Sequence, residues 1–356
     1  MPPPRELLQL LLARQDLSGA QAEELLLQLT DPQLPPAMSG AILTALTAKG
    51  VVAVEVRGLA RAMRRLALRP NVPSDIAAID IVGTGGDASG SLNISTGTAL
   101  LTAACGLPVV KHGNRSVSSR CGSADVLESL GLRIPLDAQA AAECLAATGF
   151  TFLFAPHYHP ATRAIAPIRA ALGIRTVFNI LGPLVNPAQP PFHLVGAYSL
   201  EIARLIADTL AGLPQERSFV VHGAEGWDEP TPIGPFTVFD VRPGRVSVEQ
   251  RSPADYGLAA CTAAELAGGD ATQNARAIRA VLYGEDRGPH RDCLLLGTAL
   301  ALEVAGVAGT PHEGIARAAA AIDSGAARRV IDGLALDHGQ PGAGAARAAA
   351  LPERAR

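Results

Sequence analysis

Residues 80–96 read DIVGTGGDASGSLNIST, and the reading of this stretch decides the fold class. It opens on an apolar run, with Ile79, Ile81 and Val82 around Asp80, of the kind that ends a buried strand. Gly83-Thr84-Gly85-Gly86-Asp87 follows, where glycines let the backbone turn tightly and approach a ligand without a Cβ in the way. Small residues at 88–91 lead to Asn93-Ile94-Ser95-Thr96, and apolar residues resume at Ala99, Leu100 and Leu101. The pattern predicts a strand, a glycine loop and the start of a helix. Such a turn aims backbone N–H groups and the positive end of a helix dipole at one spot, which suits phosphate. Asp87 sits inside the loop, and a carboxylate beside phosphate is repelled unless it bonds a sugar hydroxyl or serves a metal. With the hydroxyls of Ser91, Ser95 and Thr96, it points to a phosphorylated sugar with Mg²⁺. A plain turn of an α/β protein is the alternative.

Upstream, residues 1–70 show helical spacing and no strand. Leu7, Leu8, Leu10, Leu11 and Leu12 precede a break and cap at Asp16-Leu17-Ser18, and a second amphipathic run over 20–29 carries Glu23 and Glu24 on its polar face. A third covers 36–49 and ends at Gly50; a fourth covers 54–67, with Arg57, Arg61, Arg64 and Arg65 outside. These predict a small all-helical domain over 1–72, whose apolar faces are a domain core or a dimer seam. Pro70 and Pro73 bracket a hinge.

Downstream the spacing alternates. Strands are predicted at 107–111, 150–154, 193–197 and 218–221, with helices at 124–130, 138–148, 161–172 and 200–210, the third despite Pro167. Residues 237–241 and 245–250 flank Pro243-Gly244 as a hairpin. The class is therefore α/β, a mostly parallel central sheet covered on both faces, with ligands beyond the carboxyl ends of the strands. From Gly257 the chain reads as helical to about 340, leaving 341–356 as a weakly ordered tail.

Composition narrows the function. The 356 residues, 48% apolar, suffice for two domains, and a net charge of −3 lacks the basic footprint of a nucleic-acid binder. The apolar run LLQLLL is too short for a signal core, and 98–110 is interrupted by Gly106 and Pro108, so no membrane span is expected. Five cysteines without paired metal spacing fit reduced thiols and a cytoplasmic location. Cys105 and Cys144 read as small core residues.

Three further loops carry chemistry. Lys111 opens HGNRSVSSRCGS, which reads as a diphosphate clamp, with Lys111 as a point charge and Asn114, Ser118 and Ser119 as donors, or as a solvated loop. In HGAEGWDE, 222–229, the adjacent Asp228 and Glu229 suit one or two Mg²⁺ ions, or form an acidic surface loop. His157 and His159 lack a third soft ligand nearby, which argues against zinc. Arg169 becomes a carboxylate anchor if its helix faces the sheet loops, and 175–187, with its X-Pro turns, then walls an apolar, planar pocket.

Together these stretches resemble the anthranilate phosphoribosyltransferase family. The matches are VGTGGD with NIST, KHGNRSVSS with GSADVLESLG, HPA with RAALGIRTVFNILGPLVNPA, and HGAEGWDE; YGL and GGDATQNA are weaker. They run in order through most of 80–300. VVAVEV departs from the more polar segment usual near the start, and Gly297 stands where the family usually has Asn. The resemblance implies a nucleoside phosphorylase/phosphoribosyltransferase-type architecture: a helical domain to which roughly 163–188 returns, an α/β domain of 73–162 and 189–340, and a homodimer through the helical domains. It implies phosphoribosyl pyrophosphate (PRPP), anthranilate and Mg²⁺, two ions, as ligands. By motif position Gly83, Gly86, Asp87, Asn93, Ser95, Thr96, Lys111, Ser118 and Ser119 would bind PRPP. Gly83, His112, Asn114, His159, Arg169 and Gly182 would line the acceptor site, and Ser95, Asp228 and Glu229 would serve the metal.

The chemistry this implies needs no nucleophilic side chain. Diphosphate leaves C1 of the ribose as the amine of anthranilate attacks, with Lys111 and Arg169 in support. A pyrimidine nucleoside phosphorylase, a relative with another aromatic acceptor, and a non-catalytic PRPP sensor are the competing readings. The first typically differs from KHGNR and does not share HGAEGWDE, and the last expects decay of the acidic pair or acceptor pocket, which is not seen.

Overall fold

The computed structural model describes residues 2–73, 75–116 and 120–336. Four helices open the chain: α1 (Pro4–Leu12), α2 (Gly19–Leu29), α3 (Pro36–Lys49) and α4 (Ala53–Leu66). α2 begins on a capping box, in which Ser18 and Gln21 exchange hydrogen bonds between side chain and backbone N–H. α3 stops at Gly50, whose φ of 84° only glycine adopts freely. Glu55, the acid within VVAVEV, is buried and accepts from the Leu17 N–H at 2.8 Å and the Lys49 ammonium at 3.0 Å. The departure from the family pattern therefore still holds a polar staple between α2, α3 and α4.

The larger part alternates as expected: β1 (Ile79–Gly83), α5 (Ile94–Ala104), β2 (Val109–Gly113), α6 (Ser123–Ser129), α7 (Ala138–Thr148), β3 (Phe150–Phe154). After α8 (Ala155–Tyr158), α9 (Ala166–Leu172) and α10 (Phe178–Leu181) come β4 (Phe192–Gly196), α11 (Leu200–Leu210), β5 (Arg217–His222) and the hairpin β6 (Phe236–Arg242) and β7 (Arg245–Arg251). Helices α12 (Ala271–Leu282), α13 (Pro289–Val304), α14 (Pro311–Asp323) and α15 (Ala326–Leu334) close it. The seven strands lie in the order β3-β2-β1-β4-β5-β6-β7, parallel through β5 and antiparallel at the hairpin. Strand side chains alternate between two cores. Leu194, Phe219 and Val238 face the layer of α5 and α13, while Val195, Val220 and Phe239 face α11 and the helical bundle. An N-terminal helical bundle thus joins a larger α/β domain. Among the described residues no helix is long and apolar enough to cross a membrane.

Several local expectations need correction. Residues 161–172 do not form one helix: a 3₁₀ turn, Pro160–Ala164, precedes α9. Pro167 has no N–H to continue a helix from upstream, and it sits instead in the first turn of α9. His157 lies in the single turn α8 and His159 just past its end. β2 starts at Val109 because Pro108 cannot donate to the ladder. Arg64 does not point outward: it is 6% exposed, and its Nε donates to the Leu184 carbonyl at 2.7 Å. Arg57 and Arg61 reach the carbonyls of Asp208 and Gly212, so the basic face of α4 meets the C-terminal end of α11, where the helix dipole favours cations. At Gly297, a Cβ would lie 2.7 Å from Thr98 Oγ1, so α13 packs too closely on α5 for a larger residue without adjustment. The predicted tail lies outside the described residues.

One buried link ties the return of the chain to the sheet. Asn186 Nδ2 donates to Asp80 Oδ2 and to the Val110 carbonyl, both at 2.8 Å, while its Oδ1 accepts from the Ala188 N–H. Asp80 also accepts from the His112 N–H, and burial pushes its carboxyl up to about 6. Removing the amide strands two buried acceptors, Asp80 Oδ2 and the Val110 carbonyl, and the half-buried Ala188 N–H. Asn186→Ala is therefore expected to cost about 2–4 kcal/mol in denaturant unfolding; a loss below about 0.5 kcal/mol, the level of an ordinary surface change, contradicts this role.

Candidate active site

β1 is followed in the chain by strands on one side of it and then by β4 on the other, so the sheet has a switch point between β1 and β4. Open α/β sheets bind ligands beyond the carboxyl ends at such a point. Three strands that end here carry glycine: Gly83 at the end of β1, Gly196 at the end of β4, and Gly223 just past β5. A Cβ on Gly83 would lie 2.4 Å from Asp228 Oδ2, one on Gly196 1.6 Å from the Asp228 carbonyl, and one on Gly223 2.1 Å from the Glu229 carbonyl. The strand ends are hollowed out to admit the acidic loop.

Within that hollow the separated motifs meet. Asp228 Oδ2 accepts from the Gly85 N–H at 2.6 Å, and Glu229 Oε1 accepts from the Ser95 N–H, at the start of α5, at 3.0 Å. The Asp228 N–H donates to Asp87 Oδ2 at 3.3 Å, while Asp87 Oδ1 is held by the backbone and hydroxyl of Ser89. Lys111 is 2% exposed; its ammonium donates to the Ile81 carbonyl at 2.5 Å and to Ser95 Oγ at 3.3 Å. Burial pulls that ammonium down, against the carboxylates of Asp80, Glu229 and Asp228. Burial pushes Asp228 up to about 7, with repulsion from Asp87 added, and pushes Glu229 up to about 8, with repulsion from Asp228 added.

Negative charge thus exceeds positive charge in a partly dry site. All donors are hard oxygens, which fits Mg²⁺. Among the described residues no three His, Cys, Asp or Glu side chains form a ready metal cage, so the carboxylates supply only part of a shell. Mg²⁺ ordinarily completes its shell with water and substrate phosphate.

Asn93 stands at the N-cap position of α5, but its side chain forms a bridge elsewhere, donating to the Cys121 carbonyl and accepting from Asn274 Nδ2 at 2.8 Å. Thr96 is fully buried, its hydroxyl without a partner. Gly86 adopts a φ of 78°. Ser118 and Ser119 lie outside the described residues.

A second group lines the opposite wall. His112 follows Lys111 on β2, its Nδ1 3.1 Å from the Gly182 carbonyl, and its ring meets His159 edge-on at 5.1 Å. Among the described residues His112 Nε2 and both ring nitrogens of His159 are buried without a well-formed hydrogen bond, although the Val185 backbone lies close enough to His159 to oppose its shift. Burial pushes His112 down to about 3, helped by repulsion from His159, and His159 down to about 4, so both rings are neutral. His157 diverges and packs on Tyr158. Arg169 is half-buried, its guanidinium over the Phe178 ring at 5.3 Å, and no ion-pair partner faces it among the described residues. Asn114 is exposed immediately after β2, where its Oδ1 accepts from the Arg115 N–H and its carbonyl from Ser123 Oγ; it is not joined to the histidine pair. A separate cavity of about 520 Å³ opens elsewhere, between α3 and the outer side of α9.

Asn274, Thr84, Arg175, Gly196 and Gly223 belong to this neighbourhood but were not singled out from the sequence. GGDATQNA signalled Asn274 only as a stretch. Glycines at the ends of successive predicted strands, read jointly, could have revealed the cradle.

Residues 75–328 match the family model described as "Glycosyl transferase family, a/b domain", and residues 5–67 match "Glycosyl transferase family, helical bundle domain". The chain is 48% identical over 298 residues to the anthranilate phosphoribosyltransferase of Methylobacterium nodulans, covering 84% of this chain and 88% of that one. The crystal structure of the Thermus thermophilus enzyme superposes with a TM-score of 0.86 at 37% identity, over 92% of this chain and 98% of the other. The Saccharomyces cerevisiae enzyme in complex with PRPP and Mg gives a TM-score of 0.85 at 29% identity, over 93% and 96%. In complex with 4-fluoroanthranilate it gives 0.82 at 29%, over 94% and 98%. A helical bundle on a mostly parallel sheet, a glycine loop facing an acidic pair, and these likenesses along nearly the whole chain lead to one assignment: the chain belongs to the anthranilate phosphoribosyltransferase family.

Proposed function

We propose that this chain transfers the 5-phosphoribosyl group of PRPP to the amino group of anthranilate, with Mg²⁺, releasing diphosphate in a step of tryptophan biosynthesis. The observation that carries the reading is the meeting of Asp228 and Glu229 with the glycine loop, the start of α5 and Lys111. The yeast relative's complexes with PRPP and Mg and with 4-fluoroanthranilate support the choice of ligands.

On this reading Gly83, Gly86, Asp87, Asn93, Ser95, Thr96, Lys111, Ser118 and Ser119 bind PRPP. Backbone N–H groups of the loop and of the α5 N-terminus hold phosphate oxygens. Asp87 takes ribose hydroxyls. Asp228, Glu229 and Ser95 hold two Mg²⁺ ions, which supply charge stabilisation on the departing diphosphate. Lys111 adds a fixed cation on the same side.

Gly83, His112, His159, Arg169 and Gly182 form the acceptor site; Asn114, exposed and not joined to the histidine pair, is assigned to it by motif position alone. Arg169, unpaired and half-dry, suits a carboxylate. The neutral histidines offer unpartnered nitrogens to an aromatic amine without adding positive charge beside a developing oxocarbenium ion. An aromatic amine is already neutral at pH 7, so the chain's task is positioning, which contributes up to about 7–11 kcal/mol in favourable cases.

A cytoplasmic location fits the five free cysteines. A homodimer through the helical bundle fits the cavity between α3 and α9, lined by Leu29, Leu34, Ile168 and Leu172. Light scattering is expected to give twice the monomer mass, and Ile168→Asp to halve it; a monomeric wild type rejects the dimer. For the chemistry, Asp228→Asn with Glu229→Gln is expected to lower kcat at least about tenfold, the loss of about 1.4 kcal/mol of transition-state stabilisation. Near-normal turnover at limiting Mg²⁺ removes these carboxylates from the metal role.

A further inference from the structure

Between α9 and α10 the chain runs through Gly173, at a φ of 62°, to Arg175. This short segment belongs to the wall that carries Arg169, yet the Arg175 side chain leaves it for the opposite wall. Its Nη2 donates to the Gly86 carbonyl in the glycine loop at 2.6 Å, and its guanidinium lies over the Tyr198 ring at 4.3 Å. Among the described residues, this is the one hydrogen bond joining the stretch 166–184 to the loop 83–87. A Cβ on Gly86 would meet Arg175 Nη2 at 3.2 Å, a tight contact that the guanidinium would relieve by a small shift.

We propose that Arg175 is a positioning residue that couples occupation of the glycine loop to the acceptor anchor Arg169; the inference rests on the function proposed above. On the donor side, the peptide group is planar and trans, so holding the Gly86 carbonyl also fixes the direction of the Asp87 N–H. Asp87 in turn accepts from the Asp228 N–H, and a ligand that reshapes the loop must move the atom Arg175 grips. On the acceptor side, Arg175 lies between Arg169 and Phe178, the ring that supports the Arg169 guanidinium. The Thr176 N–H next to it donates to Asn179 Oδ1, fixing the start of α10. A pull on Arg175 is therefore transmitted to both members of the Arg169–Phe178 pair. A planar guanidinium can bond a carbonyl and stack on a ring at once; an ammonium does only the first.

The test measures anthranilate dissociation constants from its own fluorescence, with and without Mg²⁺ and diphosphate, for the full-length wild type, Arg175→Ala and Arg175→Lys. Diphosphate binding is measured separately by calorimetry. In the wild type Mg²⁺ with diphosphate is expected to tighten anthranilate binding at least about fivefold, the lower end of ordinary coupling between sites. In Arg175→Ala each ligand alone binds within about twofold of wild type while the coupling falls to about one. In Arg175→Lys part of the coupling returns. A purely structural role would instead weaken each ligand alone. Coupling that persists undiminished in Arg175→Ala, or is absent from a wild type that binds both ligands, overturns the inference alone. A wild type that binds neither ligand overturns the functional reading, and the inference with it.

Discussion

A single buried ammonium, that of Lys111, sets the terms for everything at the carboxyl ends of the sheet. It is nearly dry, and a charge so placed is tolerated only when paired and hydrogen-bonded. Asp80 faces it from the sheet interior, and Asp228 and Glu229 from the loop after β5. The pairing overshoots, because three carboxylates around one lysine, with Asp87 beside them, leave excess negative charge. Fold stability alone would favour a neutral cluster. On the proposed function the imbalance has a use, since a divalent cation would supply the missing positive charge and a polyphosphate would follow it.

The glycines complete the same argument. Side chains at the ends of β1 and β4 would add packing, but any Cβ there would collide with Asp228. The chain gives up burial at its strand ends and gains close contact between an acidic loop and the N–H groups of a phosphate-type turn. The carboxylates themselves accept from those N–H groups, at Gly85 and Ser95. The donors stay satisfied while the geometry a phosphate would meet is kept. Beside them, among the described residues, His112 Nε2 and the ring nitrogens of His159 are buried without a well-formed hydrogen bond to protein.

Much of the fold was legible because it rests on local periodicity. The boundaries of α3, α7, β3 and α11 follow from apolar spacing and terminal glycine or cap residues, as at Gly149 after α7. The motifs Gly83–Asp87, Asn93–Thr96, Lys111 and Asp228–Glu229 were legible because each pairs unusual backbone freedom or adjacent charge with a strand end. Their meeting at one end of the sheet was also legible, because loops that follow parallel strands share the carboxyl side, and Asp228 on Gly85 and Glu229 on Ser95 bear it out; which strands lie side by side was not. Arg64 was misread because nothing in α4 reveals that residue 184 packs on it. Arg175 escaped because its partner is a backbone carbonyl 89 residues earlier, which no side-chain pattern records. The split before α9 was available in Pro167 and was outweighed by its apolar neighbours.

The central claim is that the acidic pair is a burden to the folded chain until a divalent cation neutralises it. Burial raises Asp228 to about 7 and Glu229 to about 8, from ordinary values of 3.8 and 4.5, with repulsion from Asp87 added on the first and from Asp228 on the second. Between those limits the folded chain holds more protons than the unfolded one, so stability contributed by these groups is lost as pH rises. The measurement is the melting temperature from pH 5 to 8, with chelator and with saturating Mg²⁺. The account predicts that the metal-free melting temperature falls across this window relative to the Mg²⁺ curve, the gap widening toward pH 8. Two curves that stay parallel, with no Mg²⁺-dependent change in slope, would contradict it.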